Sequence, residues 1–398
     1  MILVPDRVAE LRDPRPAAPV RLWRPAMLAA LAVWSTSLAV HLLVGALAWL
    51  TYRGRGPAPD LWSIALGWNG WDAMHYVTIA ESGYHLGPGY PAFFPLYPML
   101  IHVVNPVLPG DGVVSALVLA NAAAFGALAV LYRLAELELG AEVARRAAWY
   151  LAVFPTGFFL FIGYNESLFL LLIVGSLYAA RRGNWWLAGM LGALSSATRL
   201  FGLLLIAPLA IEYLRQIGWR PSRARPDVLA LTLVPLGVVG YSIYCLVDLG
   251  SPLQFSIAQD QWGRQYTFPG MAWVTSVQQI AGHGLLDKTA LGAMLDAGTV
   301  LVAVVLLILC VRGPFRLRRD QLYLVVQGGV TLIMLMSTEV AGRSMQSAAR
   351  YAMEAVAMFL VLARMGANPV VDRAVLVIGA SLHAVLLVVF MSGSFLVA

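Results

Sequence analysis

TALGAMLDAGTVLVAVVLLILCVRGPFRLRR, residues 289–319, divides sharply in two. Up to Val311 it is apolar, with Asp296 as its one charged side chain; the remainder carries Arg312, Arg316, Arg318 and Arg319. An apolar run this long spans the roughly 30 Å hydrocarbon core as a helix rising 1.5 Å per residue. Lipid cannot satisfy free backbone groups, and no alternating ten-residue strands occur, so the crossing segment is expected to be helical. The arginines that follow mark its cytoplasmic end.

Outward from this segment the pattern repeats. The 398-residue chain is 60% hydrophobic and 12% charged, with a mean hydropathy of +0.75; a soluble chain carries roughly a quarter charged residues. Eleven spans are expected, at 26–50, 112–133, 143–162, 167–181, 184–198, 200–217, 227–249, 289–311, 320–338, 351–364 and 373–395. The pair at 184–217 also reads as a re-entrant hairpin around Arg199. The fold class is therefore an all-α, polytopic membrane helix bundle: a cytoplasmic tail over residues 1–25 and a membrane-embedded module over 26–398. No internal repeat, low-complexity tract or sizeable soluble domain stands out.

Charge sets the orientation. The tail carries Arg7, Arg12, Arg15, Arg21 and Arg24, and every second connection is also basic, so that 20 of the 27 basic residues lie on the cytoplasmic side. The other seven are Arg53, Arg55, Arg199, Arg264, Lys288, Arg343 and Arg350. The net charge of +6 thus reads as topology, not as a nucleic-acid surface. Cys245 and Cys310 fall near opposite ends of successive spans and cannot bridge. There is no CxxC or Cys/His spacing, no Walker A loop and no Asp-x-Asp motif, so neither metal nor cofactor is expected. GPGYPA matches a dinucleotide fingerprint in form only, because its prolines and outer position exclude that role.

The outer side instead receives polar and aromatic chemistry. The first outer loop, 51–111, contains WDAMHYVTIAESGYHLGPGYPAFFPLYP (71–98). Its first half reads as a short interfacial helix with Asn69 as N-cap, and Asp72 in the first turn is either a capping residue or a catalytic acid. His75 and Tyr76, three and four residues on, share its side. Prolines at 91, 95 and 98 argue against a regular helix through the second half, which becomes a rigid aromatic wall. Glu166 in the turn GYNES is either a turn residue or a second acid. Arg199 is costly within an apolar run unless it snorkels, pairs or binds an anion. Gln259, Trp262 and Arg264 form either a substrate wall or a solvated loop. Arg350 could pair with phosphate or with Glu354, and Asp296 and His383 read as structural interhelical hydrogen bonds.

Taken together, WDAMHYVTIAESGY…AFFPLYPML, FPTGFFLFIGYNESLFLLL (154–172), LSSATRLFGLLL (194–205), SPLQFSIAQDQWGR (251–264) and AARY (348–351) resemble the PIG-V-type mannosyltransferases, in family order over most of the chain. These belong to the GT-C class of polytopic membrane glycosyltransferases. In TRLFG the sequence departs from the polar residue the family tends to place soon after the arginine. The resemblance implies a GT-C-like bundle with a folded first outer loop. It also implies inverting transfer of mannose from a polyprenyl-phosphate donor to a hydroxyl of a lipid or glycan acceptor on the outer face.

Asp72 matches the family's general base, with Glu166 as a second catalytic candidate. His75, Tyr76, Tyr97, Tyr164, Asn165, Arg199, Gln259, Trp262, Arg264 and Arg350 are the substrate-binding candidates. The expected location is a cell membrane, read as bacterial. The alternatives are a lipid-sugar flippase, which would place paired charges and broken helices near mid-membrane, or a GT-C enzyme using another lipid-linked sugar.

Overall fold

The computed structural model describes residues 23–53, 64, 66–284, 286–341, 343–345, 347–394 and 396. Arg7, Arg12, Arg15 and Arg21 of the expected cytoplasmic tail, and Arg55, lie outside the described residues. What is described is an all-α bundle with one small antiparallel sheet. In it β1 (Arg264–Tyr266) pairs with β2 (Thr338–Val340), which pairs with β3 (Arg343–Ser344). The sheet ties the connection after Leu249 to the one after Met336, two segments distant in sequence.

Four described helices are long and apolar enough to cross a membrane: Arg24–Leu50, Gly112–Leu139, Lys288–Val311 and Pro369–Met391. Pro226–Leu233 and Leu236–Leu249 make a fifth if counted as one span bent by 44°. Eleven helices of that length are thus not found among the described residues, and the breaks have local causes. Pro235 sits at the 44° bend. The expected span at 143–162 ends as a helix at Ala152, and after Pro155 continues only as a 3₁₀ turn, Gly157–Leu160. The runs at 200–217 and 351–364 likewise begin in 3₁₀ turns, Leu200–Leu205 and Ala352–Glu354. Irregular backbone at membrane depth is tolerated where it is buried in protein or lines a cavity. Arg199, Leu200, Phe201, Arg350 and Tyr351 at these last two breaks all line one cavity.

Small residues set the packing. Ala120, Ala123, Ala124 and Ala127 of Gly112–Leu139 are buried, and this helix packs against both Glu166–Arg181 and Arg24–Arg53. Such residues let helix backbones approach where no hydrophobic force drives helices together in lipid. At Gly189 a Cβ would lie 2.0 Å from the Ala230 carbonyl oxygen, so only glycine permits that crossing. Capping fixes the helix starts. Asp111 accepts from the N–H groups of Val113 (3.0 Å) and Val114 (3.2 Å), and Asn368 from that of Val370 (2.9 Å).

The buried polar groups within apolar runs are structural, as expected. Asp296 accepts from the Ala349 N–H at 2.8 Å. His383 donates through Nδ1 to the Phe154 carbonyl (2.9 Å), which leaves its Nε2 to accept from His41 Nε2 at 2.6 Å. Cys245 and Cys310 are both free and buried.

Candidate active site

The site forms where the 71–98 segment folds over the ends of the long helices. Its short helix runs Asp72–Ser82, two residues later than an Asn69 cap would give. Trp71 is the N-cap, at φ 55°, and makes no side-chain cap. The Asp72 carboxylate is therefore not spent on capping. Ala73, Tyr76, Val77, Ile79 and Ala80 are buried. The prolines act only in part as expected: Tyr90–Ala92 is a 3₁₀ turn, but a regular helix resumes at Leu96–Val104. Pro95 is its N-cap and Pro98 lies in its first turn, where the missing N–H has no intrahelical partner to lose. Gln259 and Trp262 pin this segment, donating to the carbonyls of Ala92 (3.5 Å) and Gly89 (3.0 Å).

Two arginines and three carboxylates meet beneath it. Asn165 is the N-cap residue of Glu166–Arg181, and Arg199 is the C-cap residue of Trp185–Thr198 in extended conformation. Arg199 donates through Nε to Asn165 Oδ1 (2.8 Å), through Nη1 to Glu354 Oε1 (2.9 Å), and through Nη2 to Asn165 and Glu166. Arg350 lies 2.9 Å from Asp72 through Nη1 and 3.2 Å from Glu166 through Nε. The expected partner of Arg350, Glu354, goes to Arg199 instead. The 3₁₀ turn Ala352–Glu354 breaks the helical spacing that would have put residues 350 and 354 side by side. Aromatic faces line the cations: Tyr351 (4.7 Å), Phe159 (5.2 Å) and Tyr164 (5.3 Å) at Arg350, and Tyr351 (5.0 Å) at Arg199.

Above this cluster is a cavity of about 210 Å³. Asp72, His75, Tyr76, Asn165 and Arg199 line it from the helix ends, and Gln259, Trp262, Arg264 and Arg350 from the later segments. Three candidates are placed elsewhere. Glu166 is buried under both arginines. Tyr97 is buried and donates to the Ala116 carbonyl (2.9 Å), and Tyr164 donates to that of Gly70 (3.0 Å). Of the three carboxylates Asp72 alone lines the cavity, its side chain 25% exposed against 3% for Glu166 and 6% for Glu354.

His75 sits among the rings of Phe93 (5.0 Å), Trp262 (5.1 Å) and Tyr90 (5.5 Å). Its burial there lowers its pKa below the usual imidazole value, and the Asp72 charge opposes this in part. Arg264, on β1, differs from the other two cavity arginines: among the described residues no carboxylate meets it, and its Nε is buried without a hydrogen-bond partner. No described group of three or more His, Cys, Asp or Glu side chains is arranged to hold a metal ion. Sequence reasoning missed Glu354 as a member of the cluster. Its signal was there: a lone acid in an apolar run is as costly unpaired as Arg199.

Fold and site together define a helical membrane protein in which, among the described residues, one carboxylate faces the cavity, held by a buried arginine network. The family likeness agrees: residues 60–219 match the family described as Mannosyltransferase (PIG-V), so the chain is related to the PIG-V-type mannosyltransferases that its motifs resemble. GPI alpha-1,6-mannosyltransferase 2 of Rattus norvegicus is 32% identical over 212 residues, which is 51% of this chain and 42% of that protein. The Homo sapiens protein of the same name is 32% identical over 143 residues, 33% of this chain and 29% of that one. The aligned region thus spans less than half the length of these relatives. A solved Archaeoglobus fulgidus oligosaccharyltransferase, tethered to an acceptor peptide, superposes with a TM-score of 0.45 at 17% identity. The match covers 90% of this chain and 55% of that one, a likeness too loose to carry an argument.

Proposed function

We propose that this protein is a mannosyltransferase that moves mannose from a polyprenyl-phosphate donor to an acceptor hydroxyl, with inversion, on the non-cytoplasmic face. The observation that carries the reading is that Asp72 is the one carboxylate among the described residues to line the cavity, in a chain related to mannosyltransferases. One accessible acid suits a single displacement. Asp72 takes the acceptor's proton as its oxygen attacks the anomeric carbon, and the bond to the lipid phosphate breaks on the opposite side. Proton transfer to the carboxylate comes late, once the anomeric centre is electron-poor and the attacking hydroxyl is correspondingly acidic.

The departing phosphate needs a cation. Arg199 and Arg350 are already neutralised by Glu166, Glu354 and Asp72. Arg264 meets no carboxylate among the described residues, so it is the cavity arginine that takes the phosphate. A lipid tail has an exit beside it: Tyr266 and Phe268 follow directly and are 55% and 79% exposed. Glu166 is then a positioning residue that holds both arginines, and the acceptor is a lipid or glycan.

The purified protein should transfer labelled mannose from polyprenyl-phosphate mannose without added metal. Transfer from GDP-mannose in a system free of polyprenyl phosphate, or strict dependence on a divalent ion, would exclude the donor. The face is checked separately, by single cysteines at the exposed positions Ser82, Gln265 and Ser222. The first two should react with an impermeant thiol reagent on intact cells and the third should not; the reverse pattern overturns the orientation.

A further inference from the structure

The helices that carry the site at one end carry a second cavity at the other. Thr198, closing Trp185–Thr198, lines the first cavity, and Trp185, opening that helix, lines the second. This cavity too is about 210 Å³. Its walls are Trp185, Tyr213, Gln216, Arg223, Arg225 and Asp227, with Ile217. The proposed reaction uses none of them.

The floor is rigid. Trp185 and Tyr213 meet edge to face at 4.8 Å. The Tyr213 hydroxyl donates to Asp227 Oδ1 (3.0 Å) and accepts from the Arg225 N–H (2.9 Å). Gln216 is held by the Ala180 carbonyl and Glu212, both at 2.8 Å. The rim is a loop set by Pro221 and Pro226, each opening a 3₁₀ turn.

Two guanidiniums stand on this rim without counter-charge. Among the described residues, Arg181, Arg215 and Arg318 at this end each meet a carboxylate, whereas no ion pair involves Arg223 or Arg225. Asp227, the cavity's own acid, is engaged by Tyr213. Orientation in the membrane needs only basic residues in a loop. It does not need two of them framing a preformed hollow.

Within two residues in sequence of the lining Trp185, Ile217 and Asp227 stand exposed apolar side chains. Trp186, Trp219 and Leu229 are 53%, 55% and 56% exposed, and tryptophans favour the boundary between headgroups and chains. A ligand fitting this place carries a phosphate for the arginines and hydrocarbon for the rings. Basic pockets between membrane helices suit such headgroups.

We propose that this cavity is a binding site for an anionic phospholipid, its phosphate between Arg223 and Arg225 and its chains against Trp186, Trp219 and Leu229. A free phosphate would satisfy the arginines but not the apolar flank. The test is native mass spectrometry of the full-length protein titrated with phosphatidylglycerol, phosphatidylcholine or inorganic phosphate. Phosphatidylglycerol should bind at low occupancy number and resist competition by inorganic phosphate. At about 1 kcal/mol for each basic residue near an anionic surface, the double variant Arg223→Gln/Arg225→Gln should bind it about thirtyfold more weakly. Arg312→Gln/Arg319→Gln removes equal charge at the same end away from the cavity, and should change binding far less. All substituted positions are exposed, and an unchanged unfolding temperature confirms intact protein. Equal losses in the two double variants, equal retention of phosphatidylcholine, or displacement of the lipid by inorganic phosphate would each overturn the site.

Discussion

Glu166–Arg181 ends in a buried charge network on both sides, and the two are built differently. At the Arg181 end the guanidinium meets Glu138 (2.5 Å), Asp320 (2.7 Å) and Glu212 (3.3 Å). Gln321 (2.8 Å) and the Tyr323 hydroxyl (2.9 Å) complete the Glu138 carboxylate. At the Glu166 end, Glu166 Oε2 has no hydrogen-bond partner, and Arg350 Nε and Nη1 meet their carboxylates without hydrogen-bond alignment. Buried polar groups in folded proteins are nearly always satisfied, and a cluster that is not marks a place kept for something else. The saturated network fastens helices together; the unsaturated one borders the cavity and holds Asp72 at its edge.

If the contrast is real, Arg181→Met should produce the largest stability loss. It leaves the fully buried Glu138 with only the half-exposed Arg318 at 3.5 Å as counter-charge, while Glu212 keeps Arg215, so the loss approaches the roughly 3–5 kcal/mol of a broken buried pair. Thermal unfolding in detergent should show this, while transfer per folded molecule stays near wild type. Arg350→Gln should cost less stability, because cavity water reaches Asp72 and Glu166 keeps Arg199. Unlike Arg181→Met, it should also depress the transfer rate. Equal rate losses from the two would erase the distinction.

Arg264→Gln sharpens the same comparison from the cavity side. No carboxylate among the described residues depends on it, so the unfolding temperature should hold, while KM for the lipid donor rises on the order of tenfold or more. A change in kcat alone would place Arg264 elsewhere in the reaction. The smallest effect concerns His75. Its pKa is lowered in the folded protein, so folding favours the neutral ring. Stability is full above the unfolded value of about 6.5 and declines as pH falls below it. His75→Gln should flatten that acid limb of the unfolding temperature against pH; an unchanged limb assigns the sensitivity to another group.

Much of this arrangement is legible in the residues. Asp72, His75 and Tyr76 share a face by spacing alone, and Arg199 announces itself as a charge in an apolar run. A break at Arg199 was legible too, since the runs at 184–217 also read as a re-entrant hairpin around it; the form of the backbone that follows was not. The apolar run at 200–217 looks like a span, and only packing decides that Leu200–Leu205 winds as 3₁₀. The Glu354–Arg199 pair joins positions 155 apart, and no local pattern predicts a partner at that distance. Tyr97 misled for the converse reason: an aromatic in a proline-rich wall looks available, yet it is fully buried.

The division of labour between Asp72 and Glu166 is the centre of the account, and one paired measurement addresses it. Initial rates of mannose transfer from polyprenyl-phosphate mannose would be compared for Asp72→Asn and Glu166→Gln, each normalised to folded protein. Asp72→Asn should lose about 10²–10⁴-fold in rate, the range for removal of a general base, with little change in unfolding temperature. Glu166→Gln should chiefly lower the unfolding temperature, since it strips both arginines of a shared carboxylate, and should keep more of the rate. Near-normal transfer by Asp72→Asn, together with abolished transfer by a stable Glu166→Gln, would contradict the assignment.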